Sequence, residues 1–210
     1  DMGVNMAGLC IIDDEVCAEA SRQEIIRRYF NTLCDEKMGK ISSEAVYKIE
    51  LLMAKAGIEA NDRLVAVKAR EVAELTDNPA AAIQLHDGRI VTGKTSALLG
   101  SSSAVLLNAL KTLGDIDDEI LLISPSVIEP IQKLKIQNLG NKNPRLHSDE
   151  ILIALSICAA TDPTARKAME QLPRLKGCDV HSSVILTQVD SSIFRKLGMT
   201  VNLTQPMRNM

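Results

Sequence analysis

The sequence predicts an α/β protein in which a small helical subdomain precedes a three-layer α/β/α subdomain. Apolar residues recur at helical spacing from Asp14 to about Leu75, and the hydrophobic period then alternates between strand and helix in the remainder of the chain. The turn-forming cluster Thr76-Asp77-Asn78-Pro79 separates the two patterns. We therefore predict a helical subdomain over residues 1–76 and an α/β subdomain over residues 77–210.

The helical pattern accommodates three helices with recognisable ends. Gly39 follows the first helix, Ser42 precedes the second as its N-cap, and Gly57 closes it. We expect Asn61 to cap the third helix, with Asp62 in its first turn.

The second subdomain is predicted to open with a β-hairpin. His86-Asp87-Gly88 separates strands over residues 81–85 and 89–92, and Asp-Gly supplies the backbone angles of a tight hairpin turn. Ser148 and Asp190 are predicted helix caps. Downstream of the hairpin we expect helices over residues 102–113, 125–139, 149–161, 163–172 and 191–197, and strands over residues 119–124, 180–187 and 199–203.

Charge and hydropathy argue against two classes of partner. Lys and Arg total 24 against 27 Asp and Glu, for a net charge of −3, so the chain lacks the positive field of non-specific nucleic-acid binding. The longest uncharged stretch, residues 95–110, contains serines, an asparagine and a glycine and is shorter than the ~20 apolar residues of a spanning helix. We therefore predict no nucleic-acid partner and no membrane partner.

The cysteines and the amino terminus predict the compartment. The 5 cysteines are an odd number, and the first residues have neither the basic region nor the apolar core of a signal peptide. We expect a protein of the reducing cytoplasm with buried thiols. Because the chain begins with Asp, we also expect part of any active site to lie in residues that precede it.

Residues 88–95 match the letters of a nucleotide-binding phosphate loop, G-x-x-x-x-G-K-T. In a genuine phosphate loop the first glycine ends a buried strand, whereas Gly88 belongs to the predicted hairpin turn. We therefore interpret this segment as the end of a strand.

The same region is a better candidate for a general anion site than for a nucleotide-binding phosphate loop. Residues 88–114 contain Arg89, Lys94 and Lys111 but no acidic residue, and Gly100 opens a helix whose free amides and dipole favour an anion. The alternative is that the hydroxyl groups at this helix start serve only as caps. The candidate anion ligands are Lys94, Thr95, Ser101, Ser102 and Ser103.

A hairpin that leads into a helix is also typical of the cytidine-deaminase fold. The zinc site of deaminases needs a His or Cys two residues from a Glu, and a later Pro-Cys-x-x-Cys. After the hairpin no His or Cys occurs before His147, and no two cysteines of the sequence have the Cys-x-x-Cys spacing. We therefore expect a deaminase-like subdomain without zinc ligands, and no deamination.

The densest polar stretch runs from Gly140 to Glu150 and precedes an apolar helix. Such loops often carry function. We predict that His147 transfers a proton beside Asp149, since imidazole titrates near neutral pH. The alternative is that the two acidic residues complement the helix dipole and the basic ones are only solvated. The candidate ligands of an anionic substrate here are Asn141, Lys142, Asn143 and Arg145.

Six segments carry a resemblance to a known family: residues 1–8, 87–96, 128–135, 141–147, 169–173 and 194–198. They resemble the carboxy-terminal half of a largely bacterial family of unknown function, domain-of-unknown-function family 1846. The resemblance implies a helical subdomain followed by a deaminase-like subdomain. It also implies a preceding amino-terminal region with a phosphate-loop-like segment, through which a nucleotide cofactor could bind. Residues 205–210 depart from the family's ending.

The sequence therefore predicts the substrate-binding part of a cytoplasmic enzyme that acts on a phosphorylated or nucleotide-like metabolite. Its partners would be a small anionic metabolite, the amino-terminal half of the family chain and a second copy of itself. The alternative, from a different class, is a non-catalytic homo-oligomerisation domain with an interface on the apolar helix 151–160. The family label of ATP-dependent peptidase gains no support, since the sequence has neither a metal motif nor a nucleophile constellation.

Overall fold

The computed structural model describes residues 14–203. Residues 1–8 of the family resemblance, Cys10 and the tail 205–210 lie outside the described residues. The chain divides between Arg63 and Leu64 into two compact units.

The first unit contains two helices that pack against each other, α1 (Asp14–Lys37) and α2 (Ser43–Ala56). Ser42 is the N-cap of α2, and Gly57 ends this helix in the left-handed conformation, with φ of 64°. These two ends confirm the capping pattern of the sequence. The buried residues of the helices are Ile26, Phe30, Cys34, Val46 and Met53.

The end of the first unit differs from the prediction. Asn61 does not cap a helix but lies in a 3₁₀ turn, Ala60–Asp62. The Asp62 carboxylate accepts a hydrogen bond from the amide of Glu59 at 2.7 Å, which holds this turn. The third helix, α3 (Leu64–Thr76), begins only after the turn.

Helix α3 belongs to the second unit, so the chain divides before it and not at the predicted boundary of residues 76 and 77. Its buried Val65 and Ala69 pack on Ala82 of the sheet, with Ile90 beside them. The helical period indicated a helix correctly, but periodicity does not say which surface an apolar face covers.

The second unit is built on a four-stranded sheet with strand order β2-β1-β3-β4. Strand β1 pairs antiparallel with both β2 and β3, while β3 and β4 are parallel. Gly88, with φ of 83°, forms the turn between β1 and β2, which confirms the Asp-Gly hairpin. The strands are β1 (Ala80–Gln84), β2 (Ile90–Lys94), β3 (Asp179–Ser182) and β4 (Thr200–Leu203).

Helices cover both faces of this sheet. Ala82 faces α3, whereas its neighbours Ala81 and Ile83 face the main core, because successive side chains of a strand point to opposite sides. The main core also holds apolar residues of five other helices, so the unit is α/β as predicted. The helices after the hairpin are α4 (Ser101–Leu113), α5 (Pro125–Lys133), α6 (Ser148–Cys158), α7 (Pro163–Met169) and α8 (Gln188–Lys196), with a π-helical turn at Leu134–Asn138 and a 3₁₀ turn at Leu172–Leu175.

The strand predicted over residues 119–124 does not form. Leu122 and Ile123 are buried in the main core, but their segment pairs with none of the four strands of the sheet. Asp117 instead accepts hydrogen bonds from the following backbone and holds the segment as a turn. An apolar run of this length is ambiguous between a strand and a loop that fills a gap in the core.

Other boundaries moved as well. Helix α6 has His147, not Ser148, as its N-cap. The strand predicted over residues 180–187 ends at Ser182. Helix α8 begins earlier than predicted because Thr187, not Asp190, is its N-cap, and the Thr187 hydroxyl accepts a hydrogen bond from the Asp190 amide. The helix predicted over residues 125–139 changes to π-helical geometry at Leu134, after Pro130, which lies inside α5.

No disulfide joins the cysteines within residues 14–203, and their burial varies. Cys34 and Cys178 are buried, whereas Cys17 and Cys158 are partly exposed. None of the helices over residues 14–203 combines the length and the apolar composition that crossing a membrane needs.

Gly93 sets the distance between the sheet and helix α4. A Cβ atom at this position would lie 2.2 Å from the backbone nitrogen of Val105 and 2.7 Å from the carbonyl carbon of Ala104. The second glycine of the phosphate-loop letters is therefore required for close helix–strand packing, and β2 occupies the place of the loop.

We predict that Gly93→Ala lowers the free energy of unfolding by at least about 2 kcal/mol, because the contacted atoms are backbone and must move. Gly100→Ala is the matched control, since its added Cβ would lie 3.9 Å from the Leu146 carbonyl oxygen, and it should cost less than about 1 kcal/mol. Urea denaturation of both variants measures the difference. Equal losses would contradict the packing role of Gly93.

Candidate functional site

Leu146 brings the starts of helices α4 and α6 together. Its amide donates to the Leu98 carbonyl at 3.1 Å. Its own carbonyl accepts from the Ser103 hydroxyl at 2.8 Å and from the Gly100 amide at 3.4 Å. The side chain of Leu146 is buried in the main core, so the loop that precedes α6 is fixed against the segment that precedes α4.

A cleft of about 200 Å³ lies beside this junction. The starts of three helices border it, at Gly100 for α4, His147 for α6 and Thr187 for α8. Its apolar lining, which we call the apolar wall, consists of Pro79, Val184, Ile185 and Leu186. Its polar lining, which we call the polar wall, contains Thr95, Ser101, Ser102, Asn143, Arg145, His147 and Asp190.

The two segments predicted to bind an anion thus share one cleft. Thr95, Ser101 and Ser102 come from the first segment, and Asn143, Arg145 and His147 come from the second. The sequence could not show this juxtaposition, because it depends on the tertiary contacts of Leu146.

Five of the predicted site residues do not line the cleft. Lys94 is exposed at the end of β2, and Asn141 and Lys142 are exposed in the loop before α6. Ser103 is fully buried and holds Leu146, and the Asp149 carboxylate accepts from the neighbouring amide of Glu150 at 2.9 Å.

The acid-free segment that suggested a positive site contributes little charge to the cleft. Arg89 forms an ion pair with Asp87 at 2.7 Å, and the hydrogen bond from the Arg89 side chain lowers the pKa of Asp87. The Lys111 ammonium donates to the Asp118 carbonyl at 2.8 Å. The positive potential of the cleft therefore comes from Arg145 and the helix starts.

The carboxylate that contacts His147 is Asp190, not Asp149. The Nδ1 atom of His147 lies 3.2 Å from Oδ2 of Asp190. Since a carboxylate only accepts, the proton of the neutral imidazole is on Nδ1 and its Nε2 is an acceptor. Within residues 14–203, Nε2 has no hydrogen-bond partner, and the side chain is partly exposed at the cleft.

Asp190 is buried and accepts hydrogen bonds from three residues. Its Oδ1 accepts from the Ser148 amide at 2.9 Å and from the Ser148 hydroxyl at 2.6 Å, and its Oδ2 accepts from the Thr187 hydroxyl at 2.8 Å. Burial by itself would raise the pKa of Asp190, but the hydrogen bonds from Ser148, Thr187 and His147 outweigh it and lower the pKa below its usual 3.8. Ionised Asp190 therefore stabilises the fold above pH 3.8, and this stabilisation is lost as the pH falls through its lowered pKa.

A buried lysine holds the loop that carries Arg145 and His147. Lys135 is 2% exposed, and its ammonium donates to the Arg145 carbonyl at 2.7 Å and to Oε2 of Glu150 at 2.6 Å. The same Oε2 accepts from the His147 amide at 2.8 Å, and the Lys135 carbonyl accepts from the Asn141 amide at 2.9 Å. Lys135 thus fixes both ends of the loop.

Arg145 keeps part of its guanidinium available. Its Nε donates to the Ser96 carbonyl at 2.7 Å, and its amide donates to Oδ1 of Asn143 at 3.1 Å. No other described group bonds to the guanidinium, so its two terminal nitrogens can donate to an anion in the cleft.

Ser101 and Ser102 belong to the polar wall of the cleft. They are 5% and 3% exposed, and no described residue accepts from or donates to their hydroxyl groups. Their amides are in the first turn of α4, where a helix has no internal acceptor for them. Two amides and two hydroxyls therefore converge on the cleft without a partner in the described chain.

The sequence missed Lys135, Ser148 and Asp190 as parts of the site. Lys135 stands between two apolar residues, which was a weak indication of an unusual position. Ser148 and Asp190 looked like ordinary helix caps, and nothing local links residues so far apart in the chain. Within residues 14–203, no three His, Cys, Asp or Glu side chains are grouped closely enough to hold a metal ion.

Two descriptions of one protein family match adjacent regions of this chain. Residues 61–207 match the family described as "Domain of unknown function DUF1846, C-terminal", and residues 1–57 match "Domain of unknown function DUF1846, N-terminal". The second match corrects the expected resemblance to the carboxy-terminal half alone. The two matched regions change over close to Arg63, where the structure divides.

Several bacterial relatives bear only the name UPF0371 protein. One from Corynebacterium aurimucosum is 59% identical over 96% of this chain and 40% of its own length. Others, from Corynebacterium diphtheriae and Streptococcus pneumoniae, are 58% and 56% identical over 96% of this chain and 40% and 41% of their lengths. The chain thus spans about two fifths of the curated relatives that it matches.

We predict that Lys135→Met lowers the free energy of unfolding by about 2–4 kcal/mol, because it leaves Glu150 without its buried partner. Amide exchange over residues 139–147 should accelerate. Lys68→Met is the control, since Lys68 and Glu71 are both half exposed, and it should cost less than about 1 kcal/mol. Exchange at the wild-type rate in Lys135→Met would show that the ion pair does not hold the loop.

Proposed function

The chain belongs to the DUF1846 family, and we propose that it is the substrate-binding part of a cytoplasmic enzyme that acts on a phosphorylated or nucleotide-like metabolite. The observation that carries the proposal is the cleft, where the His147–Asp190 pair faces unpartnered donors of Ser101, Ser102 and Arg145. Because the curated relatives are much longer than this chain, the proposal concerns the binding part and not the complete reaction.

The cleft favours an anion over a neutral ligand. Three helix starts border it, and each contributes a partial positive charge from its free amides. Asp190 satisfies part of this potential at α6 and α8, but the start of α4 has no acidic residue in its first turn. A phosphate or carboxylate would accept from this helix start and from Arg145.

The pair of His147 and Asp190 supports proton transfer as the chemical role. Asp190 orients the imidazole and stabilises the imidazolium that forms when Nε2 takes a proton. A ligand held at the start of α4 would present its other groups to Nε2 across the cleft. His147 is thus the residue to which we assign general base catalysis, with Asp190 as its positioning residue.

We also infer that the second unit is a deaminase-like domain that lost zinc chemistry. The support is the β1–β2 hairpin, which delivers the chain to α4, together with the absence of the zinc motif from the sequence. In this proposal Ser101 and Ser102 occupy the helix start that zinc ligands use in deaminases, and anion binding replaces metal binding.

We predict that inorganic phosphate raises the melting temperature of the chain, because a ligand that binds the native state stabilises it. Arg145→Ala should weaken phosphate binding by at least about tenfold, the value of one charge-assisted hydrogen bond. Arg195→Ala is the control, because Arg195 is exposed and does not line the cleft. Calorimetric titration that gives equal affinities for both variants would refute the anion site.

A second candidate function, homo-oligomerisation, is favoured by the outer face of α6. Ile153 and Ile157 are 61% and 65% exposed and lie one turn apart, whereas Ile151 and Leu155 of the same helix are buried. Such a pair of aliphatic side chains would form the centre of an interface with a second copy.

We predict that light scattering gives the mass of a dimer or larger assembly, and that Ile153→Glu reduces it to the monomer mass. Thr161→Glu places the same charge in the exposed turn after α6 and should leave the mass unchanged. A wild-type monomer at working concentrations would exclude this candidate.

A further inference from the structure

We propose that the ligand of the cleft is a small phosphomonoester that carries a hydroxyl group, and not a nucleotide. Its phosphate would sit on Ser101 and Ser102 at the start of α4, and its hydroxyl would donate to Nε2 of His147. This inference rests on the proposed function and names the class of its substrate.

The phosphate position follows from two independent features at the start of α4. The first is the helix start itself, whose amides at Ser101 and Ser102 have no acceptor inside the helix. The second is the hydroxyls of these two serines, which as residues are more than nine-tenths buried, line the cleft and have no hydroxyl partner among the described residues. These hydroxyl groups are open to the cleft, and the tetrahedral oxygens of a phosphate can accept from hydroxyls and amides together.

The hydroxyl position follows from the hydrogen bond between His147 and Asp190. Because Nδ1 donates to the carboxylate, the neutral ring offers only the lone pair of Nε2 to the cleft. A ligand group at that place must therefore donate. A hydroxyl does so, and its O–H bond stays intact while it donates to Nε2.

The size and the lining of the cleft argue against a nucleobase. Its volume of about 200 Å³ is below the ~300–1,000 Å³ of sites that enclose drug-sized ligands. The apolar wall consists of Pro79 and the aliphatic side chains of Val184, Ile185 and Leu186. Bases are commonly held by aromatic stacking, which contributes about 1–3 kcal/mol per base.

This chain has almost no aromatic side chains to offer. Tyr29, Phe30 and Tyr47 are in the first unit, and Phe194 is fully buried in the main core of the second. No aromatic side chain in the described part of the chain lines the cleft. An added base would therefore gain little affinity, whereas a short hydroxylated carbon chain would fit between the apolar wall and His147.

Isothermal titration of the chain with three probes tests the inference. The probes are ribose 5-phosphate, which has a phosphate and hydroxyls; adenosine 5′-monophosphate, which adds a base; and ethyl phosphate, which lacks the hydroxyls. We expect adenosine 5′-monophosphate to bind no more tightly than ribose 5-phosphate. We expect ethyl phosphate to bind about 3–10-fold more weakly, the value of one hydrogen bond.

Two variants assign the groups. His147→Ala should remove the difference between ribose 5-phosphate and ethyl phosphate, while Ser102→Ala should weaken both by a similar factor of about 3–10. Because Ser102 is buried, Ser101→Ala is measured as well, and each variant is accepted only if its melting temperature stays near that of the wild type.

The outcomes separate the two proposals. Binding of adenosine 5′-monophosphate at least tenfold tighter than ribose 5-phosphate would overturn the substrate class while leaving the anion site in place. Equal binding of ribose 5-phosphate and ethyl phosphate to the wild type would overturn the hydroxyl position. Failure of every probe and of inorganic phosphate to bind would refute the proposed function itself, and this inference with it.

Discussion

The geometry of the cleft depends on one buried ion pair. Lys135 and Glu150 are joined at 2.6 Å, and together they bond to the backbone on both sides of Leu146, at Arg145 and at His147. A buried ammonium is costly unless all of its hydrogen bonds are formed and its charge is compensated, and both conditions are nearly met here. The loop before α6 therefore has one favourable position, and in that position its two functional side chains face the start of α4.

Asp190 extends this constraint to α8. Its carboxylate takes the Ser148 amide and hydroxyl at the start of α6 and the Thr187 hydroxyl at the start of its own helix. One acidic group thus compensates two of the three helix starts that border the cleft, and it also fixes the tautomer of His147. The third start, at Ser101, is left for a ligand. Asp190 thus compensates the partial positive charge at the starts of α6 and α8, whereas the start of α4 is available to a ligand.

Features set by residues close in the sequence were predictable. The remaining features depend on contacts between residues far apart in the chain. The hairpin at Gly88 and the end of α2 at Gly57 need positive φ, which the sequence indicates directly. The polar residues of both predicted segments were also identifiable from their place beside helix starts. The partnership of His147 with Asp190 was not, because it is set by how α6 packs on α8, and Asp149 was nearer in sequence. The close packing at Gly93 was not predictable either, because it depends on the backbone of helix α4, which follows later in the chain.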